Sequence, residues 1–344
     1  MIRLIKILDE IFKMQKQDVE RDFAPYFYTY FKTVFKDPSS YIENLSAATA
    51  HQSNLLKPRD KVILDVGCGF GLTAISLALS GARYVYGVDL NTEKIAVFNK
   101  ILSRFEPPLN NIEARLGDAT RLEFEDEAFD LVIGLDVISH VRDINLFLTE
   151  IARVTKVGGT LYIVDGNNSL VWHGRISRHK FWKKAEYGPI DTSEWRGTEM
   201  PLPYLLRRKE MIKQRYPTIE PKVLDLLAKE TAGMYGDEIS AAVRQYLENG
   251  SIPSKPSFKF RNPQTGEYPE AAINPLWLAN RLRGLGFTSK FARRYRPIRP
   301  WPLKLSSAHI KRQVSVCIET LLPPYLSLFA IETFSILSTK QMRK

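Results

Sequence analysis

Residues 62–71 read Val62-Ile-Leu-Asp65-Val-Gly67-Cys68-Gly69-Phe70-Gly71, and this stretch decides the fold. A short apolar run leads into three closely spaced glycines, and the apolar segment 72–80 follows with helical spacing. Glycine lets the backbone turn tightly and leaves room for a ligand, because it carries no Cβ atom. The stretch therefore predicts a strand, a ligand-binding loop and a helix in direct succession.

Two details separate this loop from the dinucleotide-binding pattern G-x-G-x-x-G. The third glycine stands at 71, whereas that pattern would place it at 72, where the chain has Leu72. Asp65 also brings a carboxylate to the end of the strand, and it would repel a pyrophosphate but attract an ammonium or sulfonium group. The loop therefore predicts a cationic ligand.

Strand and helix patterns alternate from the loop to residue 165, which is typical of βαβ units and a parallel sheet. Strands are predicted at 84–88, 112–116, 129–135 and 160–164. Helices are predicted at 92–105, with Asn91 as the N-cap, and at 144–154.

Acidic residues follow three of these strands, at the edge where open α/β sheets bind their ligands. Asp89 stands about 20 residues beyond the loop, where a carboxylate is expected to bind ribose hydroxyls. Asp118 follows the third strand and Asp136 the fourth. Asp136 and His140 are candidates for a general base or for orienting the substrate, since histidine titrates near neutral pH. The alternative is that His140 is a structural residue at a helix start.

Taken together, these segments resemble the class I S-adenosylmethionine-dependent methyltransferases, in particular the ubiquinone/menaquinone-methyltransferase-like small-molecule group. The resemblance rests on five motifs in order, at 65–71, 86–89, 117–119, 129–141 and 150–161. It covers about residues 58–165, with weaker likeness at 275–290 and 330–338. It implies S-adenosylmethionine as the cofactor and methyl transfer to an oxygen, nitrogen or carbon atom of an acceptor.

The resemblance also implies which residues bind the cofactor. Asp65 and the backbone of Gly67 and Gly69 would hold the methionine part, and Cys68 and Gly71 of the same loop are also predicted to bind the cofactor. Asp89 would accept both ribose hydroxyls, and Leu90 would pack on the adenine face. Asp118 would bind the adenine amino group, with Ala119 beside the ring. No metal site is predicted, because the two cysteines, Cys68 and Cys317, form no metal-binding spacing.

Four regions are predicted along the chain: an N-terminal helical cap at 1–57, the cofactor-binding core at 58–165, an inserted, mostly helical substrate lid at 166–272, and the C-terminal part of the core at 273–344. Within the lid, helical patterns cover 203–214 and 221–247. The last strand is predicted at 330–338. The fold class is α/β, a Rossmann-like sheet of seven strands.

Charge divides the chain into two chemically different halves. The net charge is +11, and residues 171–344 hold 30 Lys/Arg against 15 Asp/Glu. A basic half faces nucleic acid, a membrane surface or an anionic substrate, or only aids solubility. Segment 286–313 holds eight basic residues and no acid, and an apolar run follows at 316–329. This pairing indicates either peripheral membrane contact or an apolar cover for the sheet edge.

The function is accordingly predicted as methyl transfer to a small-molecule acceptor or to a lipid- or glycan-linked one, with an anionic acceptor as one option. The N-terminus lacks the apolar core of a signal peptide and no long uninterrupted apolar run occurs, so a cytoplasmic protein is expected, with membrane association as a second option. Two alternatives stay open, a tRNA methyltransferase and a non-catalytic cofactor-binding scaffold. Nucleic acid is not the expected partner, because no RNA-binding module is recognisable and 136–139 lacks the Asn/Asp-Pro-Pro-Tyr motif of base-amino methylases.

Overall fold

A computed structural model describes the chain from residue 1 to residue 342, with the exceptions that follow. The structure does not describe the side chain of His173 or residues 167, 189–201, 255, 257–259, 265, 267, 294–313, 315, 316, 319 and 320. Most of the basic segment predicted at 286–313 lies outside the described residues.

The core of the structure is a seven-stranded sheet with the strand order β3-β2-β1-β4-β5-β7-β6. Strands β1 to β5 run parallel, and β7 pairs antiparallel with both β5 and β6. The strands are β1 (Val62–Val66), β2 (Tyr84–Asp89), β3 (Ile112–Leu116), β4 (Phe129–Leu135), β5 (Thr155–Asp165), β6 (Phe287–Phe291) and β7 (Phe334–Lys340). The predicted α/β Rossmann-like fold with seven strands is confirmed.

Helices pack against this sheet as the alternating pattern predicts. They are α5 (Leu72–Leu79), α6 (Thr92–Leu102), α7 (Ile144–Val154) and α12 (Pro275–Gly284). Asn91 caps α6 as predicted, because its side chain accepts the Lys94 amide at 3.0 Å and satisfies a free N–H of the first turn. The central strands β1 and β4 are almost fully buried, which explains why their sequences are continuous apolar runs rather than alternating ones.

The N-terminal region is helical, as predicted for residues 1–57. Its helices are α1 (Ile2–Lys13), α2 (Lys16–Asp22), α3 (Pro25–Tyr30) and α4 (Pro38–Leu56), with a 3₁₀ turn at Val34–Lys36. Helix α1 buries one face, with Leu4, Leu8 and Ile11 inaccessible to solvent. These side chains belong to the same apolar cluster as Ile63 of β1 and Phe98 of α6, so the helices share the core of the sheet.

A second compact unit consists of residues 139–142 and 172–272, whereas the sheet unit comprises 1–138, 143–171 and 273–344. The insertion predicted at 166–272 thus begins at Trp172, and its role as a substrate lid stays a prediction. The helices of this unit are α8 (Trp172–Tyr187), α9 (Tyr204–Arg215), α10 (Pro221–Glu230) and α11 (Asp237–Asn249). Leu227, Ile239 and Val243 are among the buried residues that form its own apolar core.

A buried ion pair joins two helices of the second unit. Arg208 of α9 is inaccessible to solvent and donates to the carboxylate of Glu186 on α8. The Arg208 Nε atom also donates to the Ala228 carbonyl at 2.7 Å, so the guanidinium is paired on two sides. Buried charges persist only when they are paired in this way.

Several predicted boundaries are wrong. The helical pattern 221–247 is two helices, because Gly233 and Gly236, both with positive φ, interrupt it between Glu230 and Asp237. Helix α6 ends at Leu102 rather than at 105.

The last strands also differ from the sequence-based prediction. The final strand begins at Phe334 rather than at 330, because Ala330 and Ile331 donate their amides to Ser327 in a turn. Residues 287–291, read as the start of an interfacial segment, are strand β6 paired with β7. Their short mixed sequence, Phe-Thr-Ser-Lys-Phe, carries little strand signal of its own. Among the described residues, no helix is long and apolar enough to cross a bilayer.

Candidate cofactor site

The glycine loop between β1 and α5 has the conformation that its glycines permit. Gly67, Gly69 and Gly71 all have positive φ, at 70°, 56° and 76°. A Cβ atom on Gly71 would lie 2.3 Å from the Phe98 ring, so this glycine is required for packing against α6. A Cβ atom on Gly69 would meet nothing within 4 Å, so this glycine faces open space. The loop therefore combines a tightly packed base with an open face at its centre.

Most amide groups of the loop already donate hydrogen bonds to oxygen atoms of the protein. The Gly67 and Cys68 amides both donate to the Val88 carbonyl, at 2.7 and 3.0 Å. The Gly71 amide donates to the Cys68 carbonyl at 2.9 Å, and the Gly69 amide donates to Asp89 Oδ2, also at 2.9 Å. A phosphate binds to free N–H groups, and here four of the loop's amides are already used. The loop is consequently better suited to a ligand that donates hydrogen bonds to carbonyl and carboxylate oxygens.

Asp89, at the end of β2, lies at the centre of the site. It is largely buried, its Oδ2 accepts the Gly69 amide, and its Oδ1 accepts the Asn91 amide at 2.9 Å. The Lys94 Nζ atom is 4.0 Å from Oδ2. A carboxylate has about four lone-pair positions, so two backbone bonds fix its orientation and leave it capacity to accept ribose hydroxyls.

Asp65, at the end of β1, is a buried acid with an unpaired oxygen. It is fully enclosed, and its Oδ2 atom has no hydrogen-bond partner. Burial, together with the nearby Asp89 charge, raises the pKa of Asp65 from 3.8 to about 8, although a hydrogen bond from the Ala74 amide acts in the opposite direction. Burying a carboxyl oxygen without a hydrogen-bond partner costs free energy, and a cation nearby would offset that cost.

Cys68 contributes its backbone to the loop rather than a reactive thiol. Burial raises the pKa of the Cys68 thiol well above its usual value, and the nearby carboxylates of Asp65 and Asp89 raise it further. The thiol therefore stays protonated and is not a nucleophile at neutral pH. Of the two cysteines, Cys68 in the loop is partly buried and Cys317 is exposed.

Two exposed leucines flank Asp89. Leu90 follows it and is 53% exposed, and Leu116, which pairs with Asp89 across the β2–β3 ladder, is 56% exposed. Asp118 lies just beyond Leu116, and its Oδ1 accepts both the amide and the hydroxyl of Thr120, at 2.8 and 2.7 Å. The half-buried Ala119 lies between Asp118 and Thr120. This arrangement offers apolar surface for a planar ring beside an acid for its amino group.

The sequence-based reading missed Leu116, although its position at the end of a strand beside Asp89 was the available signal. It also missed Phe70, which is buried between two loop glycines. The Phe70 ring packs on four aromatic rings from helix α3 and its end, with centroid distances from 5.0 to 5.7 Å, at Tyr26, Phe27, Tyr30 and Phe31. The N-terminal aromatic residues thus contact the cofactor loop directly rather than only the sheet.

The two candidate catalytic residues belong to different units. Asp136 directly follows β4 in the sheet unit, is exposed, and has a positive φ of 52°, with its amide donating to the Val164 carbonyl at 2.8 Å. His140 belongs to the second unit, where its Nδ1 atom lies 3.2 Å from the Tyr268 carbonyl. A carbonyl can only accept, so Nδ1 carries the proton and Nε2 of the neutral ring is an acceptor. Their catalytic roles stay predictions.

Comparison with known proteins identifies the segment that contains this site. Residues 64–163 match the family model described as a methyltransferase domain. The match begins two residues into β1 and ends within β5, so the matched segment contains every predicted cofactor residue.

Curated proteins that are similar to this segment carry related names. The ubiquinone biosynthesis O-methyltransferase of Chelativorans sp. (strain BNC1) is 33% identical over 129 residues, 37% of this chain and 49% of that protein. The 2-methyl-6-phytyl-1,4-hydroquinone methyltransferase of Synechocystis sp. is 31% identical over 130 residues, 37% of this chain and 38% of that protein. The chain therefore spans about half or less of the length of these relatives.

Among solved structures, a SAM-dependent methyltransferase from Methanosarcina mazei aligns with 84% of this chain and 97% of its own. The identity is 19% and the TM-score is 0.43. The fold assignment rests instead on the strand order and pairing given above.

Proposed function

We propose that this protein is an S-adenosylmethionine-dependent methyltransferase that acts on a small-molecule or lipid-linked acceptor. The observation that carries the proposal is the pair of acids at the glycine loop. Asp65 presents a buried, unpaired carboxyl oxygen, and Asp89 is bonded to the loop amide of Gly69 at 2.9 Å. This donor-poor, acid-rich site fits a cationic nucleoside and not a dinucleotide.

The residues present fit each part of the cofactor. The ammonium of the methionine part would lie near Asp65 and the loop carbonyls, the ribose hydroxyls at Asp89, and the adenine ring between Leu90 and Leu116 with its amino group toward Asp118. The open space at Gly69 leaves room for the ligand backbone. When bound, the cofactor supplies an electrophilic methyl group on a sulfonium.

The residues of this chain then act by binding and orientation. Holding an acceptor atom in line with the methyl group can supply about 7–11 kcal/mol through proximity alone, so a dedicated base is not required. Where the acceptor is a hydroxyl, the Nε2 atom of His140 is a group that can take its proton, because Nδ1 is held by the Tyr268 carbonyl. Asp136 is the second group proposed for this role, as an exposed carboxylate at the end of β4.

The acceptor class is proposed from the relatives' names. One relative is named for ubiquinone biosynthesis and the other for a phytyl hydroquinone, and each is similar to about 130 residues of this chain. A phenolic ring with an attached isoprenoid chain is therefore the first acceptor to test. The second unit, as a separate helical insertion with its own core, is the proposed substrate lid.

The test has two readouts. Calorimetry should give saturable binding of S-adenosylmethionine and S-adenosylhomocysteine but not of NAD. Methyl transfer from labelled cofactor should then be measured with short-chain hydroquinones, with wild type compared with His140→Ala and Asp136→Asn. Binding of NAD in place of S-adenosylmethionine would refute the proposal. Binding without S-adenosylhomocysteine formation across hydroquinone, amine and tRNA acceptors would indicate a scaffold instead.

A further inference from the structure

An exposed apolar patch lies at the carboxyl edge of the sheet, at its β6–β7 end. We call it the rim patch. It consists of large apolar side chains that are exposed to solvent: Leu276 and Trp277 at the start of α12, and Tyr325, Leu326 and Phe329 in and after the short helix α13 (Pro324–Ser327). Trp277 is 42% exposed and Phe329 is 60% exposed. Clustered exposure of this kind marks an interaction surface.

Asn168 shows that the two halves of the rim patch lie side by side. It is fully buried and forms an isolated bridge with Ile273, immediately before α12. Its Nδ2 atom donates to the Leu328 carbonyl at 2.6 Å and to the Ile331 carbonyl at 3.0 Å. The segment before α12 and the segment around Leu328 are therefore joined through one residue, Asn168, by its backbone and its side chain respectively.

Basic residues surround this apolar surface. Arg281 lies one helical turn beyond Trp277 and is exposed. Arg293 is exposed just after β6, where it lines a crevice together with Pro324 and Ser327 of α13. Glu332 is also exposed at this edge, and its negative charge opposes the binding of an anionic partner.

The sequence around the rim patch is one-sided in charge. Residues 271–318 contain ten Lys/Arg and no Asp/Glu. Four of the ten lie among the described residues, and all four are exposed: Arg281, Arg283, Lys290 and Arg293. Exposed apolar side chains near exposed arginines are what binding to an anionic lipid surface requires. The exposed leucines favour lipid over nucleic acid, because bases stack on aromatic rings and not on aliphatic side chains.

The rim patch lies at the same edge of the sheet as the candidate cofactor site. Strand β7 begins where β5 ends, with Asp165 paired to Phe334, so the patch lies at the edge that also holds the loop after β1 and the acid after β2. We propose that the rim patch docks this protein on an anionic membrane surface, with the carboxyl edge of the sheet turned toward the lipid. The docking itself does not depend on the proposed function. Only its purpose, access to a lipid-linked acceptor, rests on that function.

Vesicle co-sedimentation of the full chain tests the docking. Vesicles of phosphatidylcholine alone are compared with vesicles that also contain phosphatidylglycerol, at low and high salt. We expect binding to the anionic vesicles only, and its loss at high salt because surface charges are then screened. Indifference to both vesicle types would overturn the proposal.

Matched variants separate the rim patch from general basicity. Arg281→Ala/Arg293→Ala should weaken vesicle binding by about 30-fold if each arginine contributes as is usual near an anionic surface. Lys213→Ala/Arg215→Ala on α9 removes the same charge elsewhere and should change binding little. Trp277→Ser/Phe329→Ser should weaken binding at constant charge, and Leu146→Ser/Leu247→Ser, which alters exposed leucines on α7 and α11, should not.

The other possible outcomes also support or overturn the docking proposal. Equal loss of vesicle binding in Arg281→Ala/Arg293→Ala and in Lys213→Ala/Arg215→Ala would show unspecific attraction and overturn the rim patch. Binding of tRNA that depends on Arg281 and Arg293 while vesicle binding does not would also overturn it. Calorimetry of S-adenosylmethionine with every variant keeps the two proposals distinct. Vesicle binding without cofactor binding would refute only the proposed function, and cofactor binding without vesicle binding would refute only the docking.

Discussion

The Oδ2 atom of Asp89 accepts the amide of Gly69 at 2.9 Å, so the acid that ends β2 is bonded to the middle of the loop that follows β1. One carboxylate thus orients the loop and presents its remaining lone pairs to the ligand. The two functions can be separated experimentally, because an amide oxygen can still accept the Gly69 N–H but carries no charge.

Asp89→Ala should weaken S-adenosylmethionine binding by about 1.5–3 kcal/mol, the usual value of hydrogen bonds to a charged group. Asp89→Asn should lose less, because it retains the loop bond. Calorimetry gives the affinities, and thermal unfolding shows whether both variants are folded. Unchanged affinity in the alanine variant would contradict the assigned role.

Asp65 should couple cofactor binding to proton release. Its pKa is raised to about 8, mainly by burial, so at pH 7 the free protein holds it protonated. A bound ammonium favours the carboxylate, so binding at pH 7 should release nearly one proton, and affinity should rise as pH increases from 6 toward 8. Calorimetry in buffers of different ionisation enthalpy measures the proton count, which should fall to near zero in Asp65→Asn.

The same group should affect stability with the opposite dependence on pH. Because the folded pKa of Asp65 lies above its ordinary value of 3.8, its contribution is fully present below that value and is lost as pH rises toward 8. The free energy of unfolding of the ligand-free protein should therefore fall over this range. Asp65→Asn should flatten the decline in denaturant titrations, and an unaltered profile would show that Asp65 ionises normally.

The loop glycines should fail in different ways when replaced. Both Gly69→Ala and Gly71→Ala incur a positive-φ cost of roughly 1–2 kcal/mol. Gly71→Ala adds a clash with Phe98, so it should lower the unfolding midpoint more. Gly69→Ala places its methyl group in the open space of the site, so it should weaken cofactor binding more than stability. Equal effects on both measurements would argue against this division.

The insertion should be separable from cofactor binding. The Ser169 amide donates to the Ile273 carbonyl at 2.7 Å, so the chain leaves and re-enters the sheet unit at adjacent points. Replacing Trp172–Ala272 with a short Gly/Ser linker should therefore abolish methyl transfer while S-adenosylmethionine affinity stays near that of wild type. Loss of both would show that the insertion is part of the cofactor-binding core.

The sequence predicted best where a local pattern decides the structure. The strand–loop–helix unit at Asp65–Gly71 and the cap at Asn91 follow from residue type and spacing. The edge strand β6 was missed because it forms only through pairing with β7, which lies far along the chain. Leu116 and Phe70 were missed for a related reason: their roles depend on neighbours brought close by folding, Asp89 across a ladder and Tyr30 from α3.

The placement of β7 also has a consequence for biosynthesis. Strand β5 pairs with β7, which follows the inserted unit in the chain, and among the described residues β6 pairs with no strand except β7. During translation, β5 must therefore present an open edge until Phe334–Lys340 leaves the ribosome. Open edges of buried strands invite wrong pairing. The nascent chain should accordingly depend on a chaperone, or on an early-folding N-terminal half, until its last strand is made.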